Sequence, residues 1–128
     1  MTHRFNLRVY YEDTDLAGIV YYANYLKFIE RARSDWVRDL GVDQNRMKRE
    51  GLVFAVRRVE ADYLSPAHFD DQLVVETVME QGSGVRLVVR QEVKRGAEVL
   101  FSALVTIICM TESGSVARLP DVLRRPMH

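Results

Sequence analysis

The sequence predicts an α+β fold: one long early helix wrapped by a five-stranded antiparallel sheet. Two observations carry that prediction. Hydrophobic periodicity is close to two at the start, changes to three and four at Asn24, and returns to a strand pattern from Val53 onward. Within that last region, turn signals at Ser65-Pro66, Gln81-Gly82-Ser83-Gly84 and Lys94-Arg95-Gly96 separate successive strand patterns, which implies an antiparallel meander.

Taken in order, residues 4–11 set Phe5, Leu7, Val9 and Tyr11 against Arg4, Asn6, Arg8 and Tyr10, as in a strand with one buried face. From Asn24, an N-cap residue, Tyr25, Leu26, Ile29, Ala32, Trp36, Val37 and Leu40 form an apolar stripe that ends before Gly41. Asp43 to Arg49 read as a short second helix closed by Gly51. The strand segments follow as LVFAVRRVEADYL, QLVVETVME, VRLVVRQEV and EVLFSALVTIICM. The last is apolar on both faces and so belongs inside the sheet, with a helix on one side and another layer on the other. The tail, LPDVLRRPMH, has two prolines and no period. With no linker, repeat or low-complexity tract, residues 1–128 read as one domain. A single helix covers only part of one face of such a sheet, so the uncovered apolar surface and open edge call for a partner subunit.

Composition narrows the function. The 128 residues are 48% hydrophobic and 28% charged, with 18 basic and 18 acidic side chains in balance. No net charge advertises nucleic acid or an anionic membrane. No apolar run approaches a membrane span and no signal-peptide core opens the chain, so the cytoplasm is the expected compartment. The basic residues are mostly arginine, which suits phosphate contacts and ordinary ion pairs alike. Cys109, the one cysteine, lies in the apolar LVTIICM and reads as a buried thiol, not a nucleophile. His3, His68 and His128 have no metal-ligand spacing, and no nucleophile elbow or glycine-rich phosphate loop is present.

The chemically suggestive stretch is residues 12–25, EDTDLAGIVYYANY. Glu12, Asp13 and Asp15 crowd together just ahead of the helix. They are either an acidic loop facing the positive end of the helix or a site holding a working carboxylate, and spacing alone leaves both open. A carboxylate and helix N–H groups suit a thioester. Its thiol, with a pKa of about 8.5, leaves as thiolate without a dedicated acid. The site then supplies a base or nucleophile and donors for the oxyanion.

RVYYEDTDLAGIVYYANYLKFIERAR resembles the opening motif of the 4-hydroxybenzoyl-CoA thioesterase family, and within it the Tol-Pal-associated acyl-CoA thioesterase branch. The likeness continues through VFAVRRVEADYLSPAHFDDQLVVET and, more weakly, to about Met110. It implies a hotdog fold in which two subunits join their sheets edge to edge as a homodimer or homotetramer. By motif position it makes Asp15 the nucleophile or general base and the Tyr22 backbone N–H the oxyanion donor. It implies acyl-CoA as substrate, with acyl-carrier protein as a further possible partner, and no metal or cofactor. Gly18, Val20, Tyr25 and Phe54 are the positions toward the substrate, and Arg57, Ser83 and Arg86 are those available to coenzyme A. The branch commonly carries histidine where this chain has Tyr22, and tyrosine there is more like the hydroxybenzoyl-CoA enzymes. Residues 81–86 also depart from the basic and hydroxyl pattern that relatives place in that turn. The rival expectations are dehydration of hydroxyacyl thioesters, a non-catalytic module that binds acyl-CoA or acyl-carrier protein, and a scaffold at the envelope.

Overall fold

A computed structural model describes residues 1–124, and His128 lies outside the described residues. Its elements are β1 (His3–Arg8), a 3-10 turn (Tyr11–Asp13), α1 (Asn24–Asp39), α2 (Gln44–Arg49), β2 (Leu52–Tyr63), β3 (Gln72–Gly82), β4 (Arg86–Arg95), β5 (Glu98–Thr111), β6 (Val116–Ala117) and a second 3-10 turn (Asp121–Leu123). One antiparallel sheet holds all six strands in the order β1-β3-β4-β5-β2, with the two-residue β6 also on β5. Among the described residues no helix is long and apolar enough to cross a membrane.

The predicted elements recur with corrections. The first strand ends at Arg8, and Tyr11 is an exposed member of the 3-10 turn instead of the strand's buried face. Alternation cannot detect that exit, because the chain turns while its apolar spacing continues. Asn24 is the first helical residue and Ala23 the cap, a shift of one position. Gly41 ends α1 at φ +89, a conformation that favours glycine. Asp43 caps α2, its Oδ1 accepting from the Asn45 and Arg46 N–H groups at 2.9 and 3.2 Å. The meander holds for β3-β4-β5 only. β2 does not pair with β3 but with β5, at the far edge. Turn signals report where strands end; the eight residues between Tyr63 and Gln72 are long enough to carry the chain across the sheet.

Helix α1 buries Tyr25, Phe28, Ile29, Ala32, Trp36 and Val37 against the sheet, while Leu26 and Leu40, one step off that stripe, are exposed. It packs on β1, β3 and β4. Facing it are Leu73, Val75, Leu87, Val89, Val93, Phe101, Ala103 and Val105, the buried alternate positions of three neighbouring strands. Two polar residues interrupt this layer. Gln91 is fully buried; its Nε2 donates to the Ile29 carbonyl and to Thr77 Oγ1, each at 2.9 Å, and its Oε1 accepts from Arg33 at 3.0 Å. Because every one of these groups is paired, the network fixes helix position without leaving a buried polar group unsatisfied.

The crossover between β2 and β3 is held by an ion pair as well as by backbone bonds. Asp71 Oδ2 accepts from Arg95 at 2.8 Å and from the His68 N–H at 2.8 Å. Burial pushes the Asp71 carboxyl up, but the His68 N–H and the Arg95 guanidinium more than offset it, leaving it below its ordinary value. A depressed carboxyl stabilises the fold above its unfolded value, and the contribution disappears as pH falls through the folded one. Asp71→Asn is therefore expected to cost about 1–2 kcal/mol at pH 7. Urea denaturation near pH 3 should show a smaller gap from wild type; an equal gap at both pH values would exclude the ion pair as its source.

Candidate active site

The three crowded carboxylates have different fates. Asp13 is buried, 8% exposed, and its Oδ2 accepts from the Tyr10 N–H at 2.8 Å. Its carbonyl accepts from the Tyr21 N–H at 2.9 Å and from Asn24 Nδ2 at 2.9 Å. Asp13 thus ties the 3-10 turn to the start of α1. Glu12 is exposed. Asp15 is exposed and sits at the head of a tight turn, where the Gly18 N–H donates to the Asp15 carbonyl and the Asp15 N–H to the Ile19 carbonyl, both at 2.9 Å. Gly18 at φ +80 is the residue this turn requires, the glycine of a short bulged hairpin loop. One Asp15 oxygen, Oδ1, accepts from the Ala17 N–H at 3.0 Å. The other, Oδ2, has no hydrogen-bond donor among the described residues.

The hairpin closes through a bridge between Thr14 and Val20 and is pinned outside by a second bridge between Ile19 and His68. The buried Val20 donates its N–H to the Ala67 carbonyl at 2.8 Å. The Ala67 N–H in turn donates to the Tyr25 hydroxyl at 3.1 Å. Tyr25 is 3% exposed and its ring stacks on Phe101 at 5.0 Å, so here it is a core residue. Tyr22 is exposed. The Tyr21 carbonyl accepts from the Asn24 N–H at 2.8 Å, whereas the Tyr22 N–H finds no acceptor among the described residues. An unengaged N–H just ahead of a sixteen-residue helix is a ready donor for a developing negative charge.

The remaining predicted positions are dispersed. Phe54 lines a cleft of about 330 Å³ between α1 and β2, with Arg33, Trp36, Val56 and Ile107, away from Asp15 and Tyr22. Arg57 is the extra residue of a β-bulge in β2, exposed and without an ion-pair partner among the described residues, while Arg58 pairs with Glu60 at 3.0 Å. Ser83 and Arg86 close the β3–β4 turn, Ser83 Oγ accepting from the Arg86 N–H at 3.0 Å. Arg86 is exposed there with no acidic partner among the described residues. Cys109 is buried and burial pushes its thiol up, away from a nucleophilic thiolate.

Sequence reasoning did not single out three contributors. His68 comes beside the Asp15 hairpin only through folding. Tyr63 reaches back from β2 so that its hydroxyl donates to the Tyr22 carbonyl at 3.0 Å. His3 faces Asp35 and Asp39 at 2.9 and 3.3 Å, a grouping that chain spacing hides because strand and helix supply its members. It stands toward the other end of α1, roughly 16 Å along the axis from Asn24.

One antiparallel sheet packed on one long helix, with an acid hairpin before that helix, is the architecture of hotdog thioesterases. The family description "Thioesterase superfamily" matches residues 17–102, more than half of the chain. The chain belongs to that superfamily. It is 39% identical over 107 residues to an acyl-CoA thioesterase YbgC of Haemophilus influenzae, covering 83% of this chain and 79% of that one. A probable thioesterase from Bartonella henselae superposes with a TM-score of 0.89 at 37% identity, covering 94% of this chain and all of the other. A 1,4-dihydroxy-2-naphthoyl-CoA thioesterase from Synechocystis superposes with a TM-score of 0.86 at 26% identity, covering 94% and 90%.

The division between Asp13 and Asp15 has a measurable consequence. Asp13→Ala removes a buried carboxylate and leaves the part-buried Tyr10 N–H without its acceptor, and is expected to cost about 1–3 kcal/mol. Asp15→Ala, at an exposed position, should cost less than about 1 kcal/mol. Thermal unfolding of the two variants side by side checks the order, and equal losses would contradict it.

Proposed function

We propose that the chain hydrolyses acyl-CoA thioesters with Asp15 as base or nucleophile and the Tyr22 N–H as oxyanion donor. The observation that carries this reading is the pairing of an exposed carboxylate, fixed in a glycine hairpin, with an unengaged N–H immediately ahead of α1. In the general-base form, water attacks the thioester carbonyl and gives its proton to Asp15. The carbonyl electrons move to the oxygen facing the Tyr22 N–H. Collapse of the tetrahedral intermediate expels the thiolate, which takes the proton, leaving a free acid and coenzyme A. In the nucleophile form, Asp15 attacks first and water hydrolyses the resulting anhydride.

The related acyl-CoA thioesterase of Haemophilus influenzae supports the substrate class. Arg86 and Ser83 in the β3–β4 turn, and Arg57 in the bulge, are proposed contacts for coenzyme A phosphates, because these arginines are exposed and have no carboxylate partner among the described residues. The alternative, a module that holds acyl-CoA or acyl-carrier protein without turnover, gives the Asp15 hairpin no chemical task. Thiol release with a chromogenic reagent, across short, long and aromatic acyl-CoAs, decides between them. Asp15→Asn should lower kcat by about 10²–10⁴-fold while leaving the fold intact. Wild-type turnover in that variant removes Asp15 from the mechanism.

We also propose a single hotdog domain acting as a homodimer or homotetramer in the cytoplasm, with β2 as the joining edge. β2 is a twelve-residue edge strand exposing Val53, Val56, Val59 and Tyr63. A strand that long with one unpaired side is a template for a second copy. Pairing there would also cover the cleft beside β2, which lies away from Asp15 and Tyr22 of the same subunit. Val59→Asp is expected to shift the species seen by light scattering toward the monomer and to lower turnover with it. A monomeric wild type that is fully active would refute this assembly.

A further inference from the structure

The Tyr22 N–H and the Tyr21 carbonyl belong to one peptide unit, and in a trans peptide they point in opposite directions. No cis peptide is present among the described residues. Because the Tyr21 carbonyl accepts from the Asn24 N–H at 2.8 Å, on the helix side, the Tyr22 N–H is aimed away from α1. The preceding unit is fixed by the Tyr21 N–H donating to the Asp13 carbonyl at 2.9 Å. The following unit is fixed from outside the loop and helix altogether, by the Tyr63 hydroxyl donating to the Tyr22 carbonyl at 3.0 Å. We propose that Tyr63 is a positioning residue: its hydroxyl sets the Tyr22 backbone so that the neighbouring N–H stays directed at the substrate carbonyl. This rests on the reading of the Tyr22 N–H as oxyanion donor.

The side chain is built to hold that bond. The Tyr63 ring lies edge-on to Phe101 at 5.0 Å, to Tyr25 at 5.6 Å and to Tyr22 at 6.1 Å. Phe101 and Tyr25 are themselves buried, so the ring is braced against the core while its hydroxyl reaches the loop. Burial, with the Tyr22 hydroxyl nearby, raises the Tyr63 phenol above its ordinary value, so it stays protonated and able to donate through neutral pH. The bond also joins the last residue of β2 to the peptide beside the proposed donor, so a change at that edge has a direct route to the oxyanion geometry.

Tyr63→Phe keeps the ring and removes only the donor. On an acyl-CoA that wild type hydrolyses, it is expected to lower kcat about tenfold, with KM within about twofold and the melting temperature little changed. A second variant replaces Tyr22 by its α-hydroxy acid analogue, exchanging the N–H for an ester oxygen and leaving the side chain in place. If Tyr63 acts through that N–H, Tyr63→Phe costs little more in the ester background, because the group it aims is already gone. An unchanged kcat in Tyr63→Phe, with the ester variant impaired, overturns the positioning role and leaves the oxyanion reading standing. Equal losses from Tyr63→Phe in both backgrounds overturn it too, by exposing a merely structural effect. An ester variant with wild-type kcat overturns the oxyanion reading and the proposal together.

Discussion

The Asp15 hairpin depends on the backbone of residues 63–71. Residues 9–23 contribute no regular strand or helix, only a 3-10 turn and two isolated bridges, so their polar groups need partners from elsewhere. The crossover supplies them. Val9 exchanges bonds with Asp70 and Asp71, Val20 donates to Ala67, and Ile19 bridges to His68. Asp13 performs the complementary task from within, joining the 3-10 turn to Tyr21 and Asn24. A short irregular segment is thereby held from two sides, which is how such a segment keeps its geometry on a rigid scaffold.

The crossover is itself a consequence of sheet order. By leaving β2 at one edge and re-entering at β3, the chain passes the start of α1, and it is there that Tyr63 and Ala67 are used, while Asp71 ties the crossover to Arg95 of β4. Helix α1 lies over β1, β3 and β4, clamped there by Gln91 and Thr77, and so leaves the β5–β2 side of the same face incompletely covered. The cleft containing Phe54 and the long open edge of β2 are two results of that one offset.

What the sequence disclosed followed from periodicity. The stripe of α1 and the alternation of β3, β4 and β5 are regular because each element meets one dry face, and a regular face leaves a regular pattern. Strand order left no such mark: a turn signal after Tyr63 is compatible with pairing to either neighbour. Gln91 and Thr77 were not singled out from the sequence: they are polar residues at alternate positions that are otherwise apolar, and alternation alone cannot show that they bond to each other and to Ile29. Among the acids, Asp13 and Asp15 are chemically identical and two residues apart. Only burial and partners separate them, and the resemblance that selected Asp15 drew on motif position, not on any property of this chain's spacing. Tyr63 was invisible for a related reason, since its partner is a backbone carbonyl forty-one positions away.

Tyrosine in place of histidine at position 22 takes a different meaning once the backbone is considered. An oxyanion donor made from a peptide N–H is indifferent to the side chain it carries, provided the φ and ψ angles are kept. Here the Tyr22 ring packs against Tyr21 at 4.9 Å and edge-on to Tyr63 at 6.1 Å, contacts that restrain the same backbone. The side chain thereby works on geometry, not on protons. That suits the proposed thioester hydrolysis, whose leaving thiolate needs no acid, and under that proposal Asp15 is the one side chain in this arrangement that must accept a proton or form a bond.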